Sequence, residues 1–382
     1  MKTLYALPDH QVIMDLIPAI TRAYVRPSEA VRRIRNQQGV VPVAIDPADG
    51  GRILWADLGD QPFREWQFLY TIEHLAARGA IADAFMTDMD VLLDDALFGA
   101  TGLEDDGVCP GGFVFHVSRC GSTLLAKALG RAPEHIMISQ GGPLQRGFWA
   151  WLTDDWRREA AATPETLALF RRLVLAMARR RRPEQQTSFV KFISWNVLYV
   201  DFIRQAFPDV PCLFLYRDPV EVIASVLRET TAALEVKGTR EAAFLTGAPA
   251  QQTATMDDTS YLAHCYARYF EVALRAADKG LRVLNYTGLS PRTFPDILDR
   301  GLGFRPSRET LALMLEQFRF HSKDDSNSTE FRADSAEKRA ALTGAERRAI
   351  ETTCSGLLAQ LDQSSHNLFA DLDHAASTVL SA

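Results

Sequence analysis

Cysteine is scarce in this chain of 382 residues, and its five cysteines are scattered. They show neither the close spacing of metal sites nor a paired disulfide framework, standing at Cys109, Cys120, Cys212, Cys265 and Cys354. No run reaches the roughly eighteen apolar residues that a membrane-spanning helix needs, and the first residues lack the apolar core of a secretory signal. The sequence therefore predicts no membrane span and a reducing, cytoplasmic setting.

An excess of positive charge is also missing, since 42 Lys and Arg stand against 48 Asp and Glu, for a net charge of −6. This balance argues against nucleic acid as a partner, so any anion site must come from a local basic cluster. The length favours two domains. The polar segment before Val108 predicts a boundary between an N-terminal α+β region of unknown role at 1–107 and an α/β domain at 108–382. The oligomeric state is left open, and an oligomer is possible.

The first hundred residues predict a small mixed structure. Val40–Ile45 and Arg52–Trp55 form a predicted hairpin around a turn rich in Asp and Gly. Phe63–Ala77 has apolar residues at helical spacing. The acidic run from Asp83 to Asp95 lacks the glycine pattern of a calcium loop, which favours a solvated face.

Beyond the boundary, apolar strands alternate with helices, which predicts a parallel sheet with helices on both faces. The predicted strands are Phe113–Val117, Ile136–Ser139, Ser188–Ile193, Cys212–Tyr216 and Leu281–Asn285. The predicted helices are Ser122–Leu129, Pro164–Arg182, Val197–Ala206, Pro219–Glu229 and Tyr261–Lys279. The basic residues that end the second helix suit the helix dipole there. The long polar segment from Glu229 to Ser260 is interpreted as a lid on the acceptor side.

The most informative segment runs from Phe113 to Leu125, where a strand enters a short polar turn that opens a helix. Backbone N–H groups and the positive end of the helix dipole converge at such a turn and favour an anion. Ser122 and Thr123 add hydroxyl donors, and Arg119 adds a permanent charge whose fork geometry suits phosphate. The segment therefore predicts a phosphate site.

The nucleotide-triphosphate loop, G-x-x-x-x-G-K-[ST], is the obvious comparison. When Gly121 is aligned with its second Gly, the first Gly falls on His116 and the Lys falls on Ser122. Both diagnostic residues are missing, which weakens an ATPase or kinase interpretation.

A second candidate anion site follows the strand Cys212–Tyr216. Arg217 stands at its carboxyl end, where open α/β sheets bind ligands. Asp218 is a predicted N-cap and Pro219 a first helical residue. Ser225 lies about two turns further along that helix, so Arg217 and Ser225 could grip a second phosphate.

These segments together resemble the sulfotransferase family, in the bacterial and Golgi-type branch that carries Arg in its loop. The resemblance covers roughly Val108 to Leu361 and implies a P-loop-like fold that uses 3′-phosphoadenosine 5′-phosphosulfate. It implies that Arg119, Cys120, Gly121, Ser122 and Thr123 hold the 5′-phosphosulfate. It also assigns the 3′-phosphate to Arg217 and Ser225, with Lys338 and Arg339 of a C-terminal basic loop. The turn from Tyr286 to Leu289 resembles the family's late Tyr-x-x-Leu turn.

The candidate catalytic residues are Arg119, Lys191, Gln140 and His321. Sulfuryl transfer needs charge stabilisation on the leaving phosphate, which Arg119 supplies with help from Lys191; no metal is required. A Glu commonly serves as base in the resembling branch, and Gln140 stands at its position here. A neutral amide accepts no proton, and lost general-base help costs about 10²–10⁴-fold in rate. His116, His135 and His321 are the substitutes considered; His321 is preferred because it lies in a predicted polar loop, whereas His116 suits a buried structural role. An acceptor that is nucleophilic enough without a base is the other explanation left open.

The sequence thus favours a sulfotransferase acting on a small hydroxyl or amine acceptor. A non-catalytic nucleotide-binding regulator on the same fold is the alternative that Gln140 supports. A small-molecule kinase is a third possibility, disfavoured by the missing Lys. The residues do not identify the acceptor.

Overall fold

The computed structural model of the protein describes residues 9–18, 22–48, 50–98, 107–320 and 335–370. The chain divides into two compact units. The first unit comprises Met1–Gly111, Leu129–Phe192 and Asp201–Val210, and the second comprises Gly112–Ala128, Ile193–Val200 and Pro211–Ala382. The domain boundary expected at residue 107 stays a prediction.

Nine strands are seen in the described residues, and they form two sheets. They are β1 (Ala23–Tyr24), β2 (Val40–Asp46), β3 (Arg52–Asp57), β4 (Ala84–Asp88), β5 (Pro110–His116), β6 (His135–Ser139), β7 (Thr187–Lys191), β8 (Cys212–Tyr216) and β9 (Arg282–Asn285). The first four make a sheet of order β1-β4-β3-β2, and the other five make a sheet of order β6-β7-β5-β8-β9.

The five-stranded sheet is parallel, with Phe113 opposite Cys212 in the β5–β8 pair and Leu213 opposite Arg282 in the β8–β9 pair. Its central strands are continuous runs of buried apolar side chains, as expected when helices cover a parallel sheet. The predicted α/β fold is confirmed, and the five predicted strands are all present within a few residues of their expected ends.

The α-helices are numbered in chain order. Those up to the end of β8 are α1 (Asp9–Leu16), α2 (Pro27–Asn36), α3 (Phe68–Ala77), α4 (Asp95–Phe98), α5 (Ser122–Leu129), α6 (Phe148–Leu152), α7 (Pro164–Met177) and α8 (Val200–Ala206). Those after it are α9 (Pro219–Arg228), α10 (Ala232–Glu235), α11 (Arg240–Thr246), α12 (Ala250–Thr255), α13 (Asp258–Ala277), α14 (Phe294–Asp296), α15 (Arg308–Glu316), α16 (Ser335–Ala340) and α17 (Gly344–Gln363). Between Glu229 and Ser260 the chain thus forms short helices, and the lid assigned to that segment stays a prediction.

In the first unit, β2 and β3 form the predicted antiparallel hairpin, and β4 pairs with β3. Trp55 is fully buried on β3, and its indole N–H donates to the Thr87 hydroxyl at 2.9 Å. The predicted helix over Phe63–Ala77 begins later, at Phe68.

The predicted helix Pro164–Arg182 is too long, because α7 ends at Met177. Its start agrees with the sequence, since the Thr163 hydroxyl accepts the Thr166 N–H and Pro164 occupies the first turn. After the end of α7, two arginines donate hydrogen bonds to backbone carbonyls that are distant in sequence. Arg179 donates to the carbonyls of Ile34 and Gln37, and Arg181 donates to that of Gln61 at 2.6 Å. These tertiary hydrogen bonds replace the expected interaction with the helix dipole.

In the second unit, the twenty-residue helix α13 buries one face against the sheet and packs against α17. Tyr261, Tyr266 and Tyr269 are buried on α13. Within the described ranges, no helix is both long and apolar enough to cross a membrane.

Candidate functional site

The turn between β5 and α5 has a strained backbone. Arg119 has φ of 59° and Gly121 has φ of 83°, both in the left-handed region. That conformation costs a non-glycine residue about 1–2 kcal/mol, and such strain concentrates at functional sites. Successive N–H groups in a turn of this kind form a concave anion nest. The Gly121 carbonyl accepts the Leu125 N–H at 3.1 Å, so the nest leads directly into the helix.

Gly121 is required here for two reasons. Its positive φ disfavours any side chain. A Cβ would also lie 2.9 Å from side-chain carbons of Tyr286 and Leu289, closer than carbon atoms approach each other. The turn from Tyr286 to Leu289, which resembles a family motif in sequence, therefore packs directly against the anion nest.

Cys120 faces away from any ligand at the turn. Its thiol is buried and donates to the carbonyls of Val117 at 2.8 Å and Leu215 at 3.4 Å. The side chain fills a gap between β5 and β8, as expected for a small buried cysteine. Any contribution of Cys120 to ligand binding thus falls to its backbone.

The Arg119 guanidinium is held by Glu229, which follows the last residue of α9. Its Nη1 lies 2.8 Å from the Glu229 carboxylate, and its Nη2 donates to the Glu229 carbonyl at 3.0 Å. The Arg119 side chain is 16% exposed, whereas that of Glu229 is 53% exposed. The predicted ligand-binding cation is therefore paired with an acid that solvent reaches.

Arg217 lies at the carboxyl end of β8, where the sequence predicts it. Its side chain is 8% exposed, and its Nε donates to the Glu221 carboxylate at 2.7 Å. The guanidinium carbon lies 4.3 Å from the centre of the Tyr286 ring, in cation–π contact. Its Nη1 donates to the Arg119 carbonyl at 3.3 Å. The structure thus joins the two predicted phosphate motifs, which are 98 residues apart.

Helix α9 begins as the sequence predicts. The Asp218 carboxylate accepts the Val220 N–H at 2.8 Å, and Pro219 is the first helical residue. Glu221 and Ser225 are both buried and stand four residues apart, so they share one face of α9. Ser225 is placed on the same helix face as the acid that holds Arg217.

Arg339, expected from the sequence in a C-terminal basic loop, lies instead on helix α16 and brings a further guanidinium to Glu221. Arg339 Nε donates to the Glu221 carboxylate at 3.0 Å, and Nη2 donates to that of Asp218 at 2.5 Å. Lys338, its neighbour in sequence, is buried. Burial by itself raises the pKa of Glu221, but its hydrogen bonds and charge interactions with Arg217 and Arg339 outweigh burial and hold that pKa below 4.5. Glu221 is therefore an ionised carboxylate between two arginines.

Lys191 and Gln140 belong to the first unit, where they lie at the ends of adjacent strands β7 and β6. Lys191 is buried, and its ammonium donates to the Ser139 hydroxyl at 3.3 Å. The Gln140 N–H donates to the Lys191 carbonyl at 2.7 Å, and Gln140 has φ of 53°. Within the described part of the chain, the buried Gln140 Oε1 has no hydrogen-bond partner. Strain together with an unsatisfied buried amide keeps Gln140 a candidate for ligand contact.

The histidines considered as bases have different positions. His116 is buried and its Nδ1 donates to the Val117 carbonyl at 2.8 Å, which agrees with a structural role. His135 Nδ1 donates to the Leu129 carbonyl at 2.9 Å, and burial lowers its pKa. His321 lies outside the described residues. Among the residues that the structure does describe, no group of three or more His, Cys, Asp or Glu side chains could hold a metal ion.

Sequence reasoning gave no role to the side chains of Glu221 and Glu229, and it named Tyr286 only as part of a turn that resembles a family motif. A weak signal existed for Glu221, because it follows Arg217 by four residues, a spacing at which opposite charges meet across a helix start. No local signal relates Glu229 to Arg119, since the two residues are 110 positions apart.

Comparison with solved structures finds similar chains. No protein-family model matches the chain, and the search of curated proteins found no relative. The crystal structure of sulfotransferase STF1 from Mycobacterium tuberculosis H37Rv is similar at 14% sequence identity and a TM-score of 0.39. The similarity covers 75% of this chain and 85% of that chain. A similarity of this degree supports no conclusion about the activity of this chain.

Proposed function

We propose that this protein is a sulfotransferase, which transfers a sulfuryl group from 3′-phosphoadenosine 5′-phosphosulfate to a small hydroxyl or amine acceptor. The observation that carries the proposal is the hydrogen bond from Arg217 Nη1 to the Arg119 carbonyl at 3.3 Å. It joins two basic turns at the carboxyl ends of adjacent parallel strands, the edge at which open α/β sheets bind ligands. A ligand with phosphate groups on both sides of one adenosine suits such a pair.

In the proposed reaction the acceptor oxygen or nitrogen forms a bond to sulfur while the bond between sulfur and the bridging phosphate oxygen breaks. The electron pair of that bond leaves with 3′-phosphoadenosine 5′-phosphate. Arg119, Ser122 and Thr123, with the N–H groups of Cys120 and Gly121, would stabilise the charge that develops there. Because Arg119 is paired with Glu229, ligand binding would require the guanidinium to exchange that carboxylate for phosphate.

The 3′-phosphate is assigned to the second turn. Arg217 supplies a buried guanidinium, and Ser225 supplies a hydroxyl on the adjoining helix. Arg339 and Lys338 on α16 complete the proposed set. Arginine suits this role because its fork of donors matches phosphate oxygens two at a time.

The acceptor proton needs a base, and Gln140 cannot be that base because an amide is neutral at working pH. We propose His321 as the base and Lys191 as a further charge on the transferring group. The Gln140 amide would then orient the acceptor through a hydrogen bond. No metal is included in this scheme, because the proposed arginines and lysine would flank the leaving group.

Isothermal titration calorimetry with 3′-phosphoadenosine 5′-phosphate tests the proposal. We expect Arg217→Ala to weaken binding about 100-fold, since it removes charge-assisted hydrogen bonds worth about 3 kcal/mol. Arg305→Ala is the matched control, because Arg305 forms an exposed ion pair with Asp299. No binding by the wild type, or equal affinity in wild type and Arg217→Ala, would rule the proposal out.

A non-catalytic nucleotide-binding regulator is the second candidate. Two observations favour it: the amide of Gln140 in place of a base, and the pairing of Arg119 with Glu229. Turnover with a mixed panel of hydroxyl and amine acceptors separates the two, because only an enzyme releases the bisphosphate product. A small-molecule kinase would instead bind ATP with magnesium, and it is the least favoured since the phosphate loop lacks the Lys.

A further inference from the structure

The Glu221 carboxylate is shared between two arginines from distant parts of the chain. One oxygen accepts from Arg217 Nε at 2.7 Å, with Nη2 of the same side chain at 2.5 Å. The other oxygen accepts from Arg339 Nε at 3.0 Å. Arg217 is four residues away and Arg339 is 118 residues away. A single buried acid therefore bridges two cationic groups from distant parts of the chain.

The charges explain why an acid is needed between them. Two guanidinium groups side by side repel each other, and low solvent exposure weakens the screening that would relieve this repulsion. Glu221 is 8% exposed, and its ionised carboxylate offsets that repulsion. The Asp218 carboxylate accepts from Nη2 of Arg339 at 2.5 Å, on the same guanidinium edge that faces Glu221. Because two carboxylates hold this edge of Arg339, its direction is fixed although its side chain is 51% exposed.

We propose that Glu221 is a positioning residue that aligns Arg217 and Arg339 as a two-arginine clamp for the 3′-phosphate, and thereby determines the preference for a 3′-phosphorylated nucleotide. This inference rests on the proposed function. Glu221 does not itself contact the ligand, since a carboxylate repels phosphate. It acts through the two guanidinium groups, whose paired donors suit a terminal phosphate dianion.

Removing the Glu221 charge has two opposing consequences. It makes the site more positive, which favours an anion, and it releases Arg339 from its inner partner, which removes a directed donor. We expect the second consequence to dominate. A half-exposed arginine without a fixed direction is solvated and contributes little, whereas one charge-assisted hydrogen bond is worth about tenfold or more in affinity.

The test measures two ligands on each variant by calorimetry. 3′-Phosphoadenosine 5′-phosphate carries the 3′-phosphate and adenosine 5′-monophosphate lacks it, so the ratio of their affinities reports the clamp. For Glu221→Gln we expect this ratio to fall about tenfold while the affinity for the monophosphate stays within about twofold. A merely structural role would lower both affinities together and leave the ratio unchanged. Asp258→Asn, which removes an exposed partner of Lys237, is the matched control.

A second variant, at Arg339, tests the contact between Glu221 and Arg339. Arg339→Ala leaves the Arg217–Glu221 pair in place and should also lower the ratio, even if Glu221→Gln does not fold. In the Arg339→Ala background, Glu221→Gln should then lower the ratio by less than it does in the wild type, because the two changes share the contact between Glu221 and Arg339. An unchanged ratio in Arg339→Ala, or tighter bisphosphate binding in Glu221→Gln, would overturn the inference.

The outcomes separate this inference from the proposed function. A wild-type protein that prefers the bisphosphate, with a Glu221→Gln variant that keeps the same preference, overturns only the role of Glu221. A wild-type protein that binds neither nucleotide, or binds both equally, overturns the proposed 3′-phosphate site together with the clamp.

Discussion

Two pairs of arginines, buried except for the partly buried Arg119, show how one residue type can serve opposite purposes. In the first unit, Arg179 and Arg181 donate to backbone carbonyls of Ile34, Gln37 and Gln61. In the second unit, Arg119 and Arg217 pair with the carboxylates of Glu229 and Glu221. A carbonyl is neutral and fixed in the backbone, so its arginine partner ties segments together. A carboxylate is charged and sits on a side chain, so at Arg119 an incoming anion can replace it, and at Arg217 it directs the guanidinium.

The difference extends to the pKa of the arginines. Burial lowers the pKa of Arg181 to about 9, because the Arg182 charge acts in the same direction and Asp60 opposes it only partly. The guanidinium stacks on the Phe63 ring at 3.9 Å. At Arg339 burial also acts to lower the pKa, but the carboxylates of Asp218 and Glu221 raise it overall. The neighbouring carboxylates thus distinguish Arg339 in the candidate ligand site from the structural Arg181.

The largest expected effect is a loss of stability in Arg179→Ala that leaves nucleotide binding unchanged. Arg179→Ala removes the donor from two backbone carbonyls in a fully buried setting and should lower the free energy of unfolding by about 3 kcal/mol. The affinity of this variant for 3′-phosphoadenosine 5′-phosphate should stay within about twofold, because the carbonyls of Ile34 and Gln37 lie in the first unit and Arg217 in the second. Urea denaturation and calorimetry check the two quantities.

Arg217→Ala is expected to behave differently from Arg179→Ala, because it should weaken the binding of 3′-phosphoadenosine 5′-phosphate about 100-fold. The exposed Arg305→Ala should change neither quantity. If Arg179→Ala weakens nucleotide binding as strongly as Arg217→Ala does, the distinction between carbonyl-bound and carboxylate-bound arginines does not hold.

A smaller effect is expected at Glu229. Glu229→Gln removes the charge that competes with phosphate for Arg119, and we expect bisphosphate affinity to rise about threefold. The effect is modest because the Glu229 side chain is 53% exposed and its ion pair is screened by water. Titration at two salt concentrations checks this, since screening should reduce the gain at high salt. Weaker binding by the variant would mean that Glu229 positions Arg119 instead of competing for it.

The smallest expected effect is the change with pH in the stability that Glu221 contributes. Because the folded pKa of Glu221 lies below its usual value of 4.5, its ionised carboxylate contributes stability above that value. This contribution is lost as pH falls through the folded pKa. The difference in free energy of unfolding between wild type and Glu221→Gln should therefore be constant near neutral pH and shrink in acid, as measured by urea denaturation at a series of pH values. A difference that grows in acid would contradict the pairing.

Local signals predicted most of the elements around the site. The strand Cys212–Tyr216 and the helix Ser122–Leu129 have the bounds expected from sequence, because an apolar run and a polar turn act over neighbouring residues. The cap at Asp218 was predictable for the same reason. The end of α7 was not predictable from sequence, because Arg179 lies beyond the helix and donates to backbone carbonyls more than a hundred positions earlier.

The sequence by itself determined the parallel α/β fold and the two basic turns, since apolar periodicity, caps and glycine act within a few residues of each other. Only the tertiary structure decided that Arg217 meets the Arg119 backbone, that Glu229 holds the Arg119 side chain, and that Glu221 holds Arg339. Charge pairing depends on distances of a few ångströms between side chains. Residues 98 to 118 positions apart reach such distances only after the sheet has brought its strand ends together.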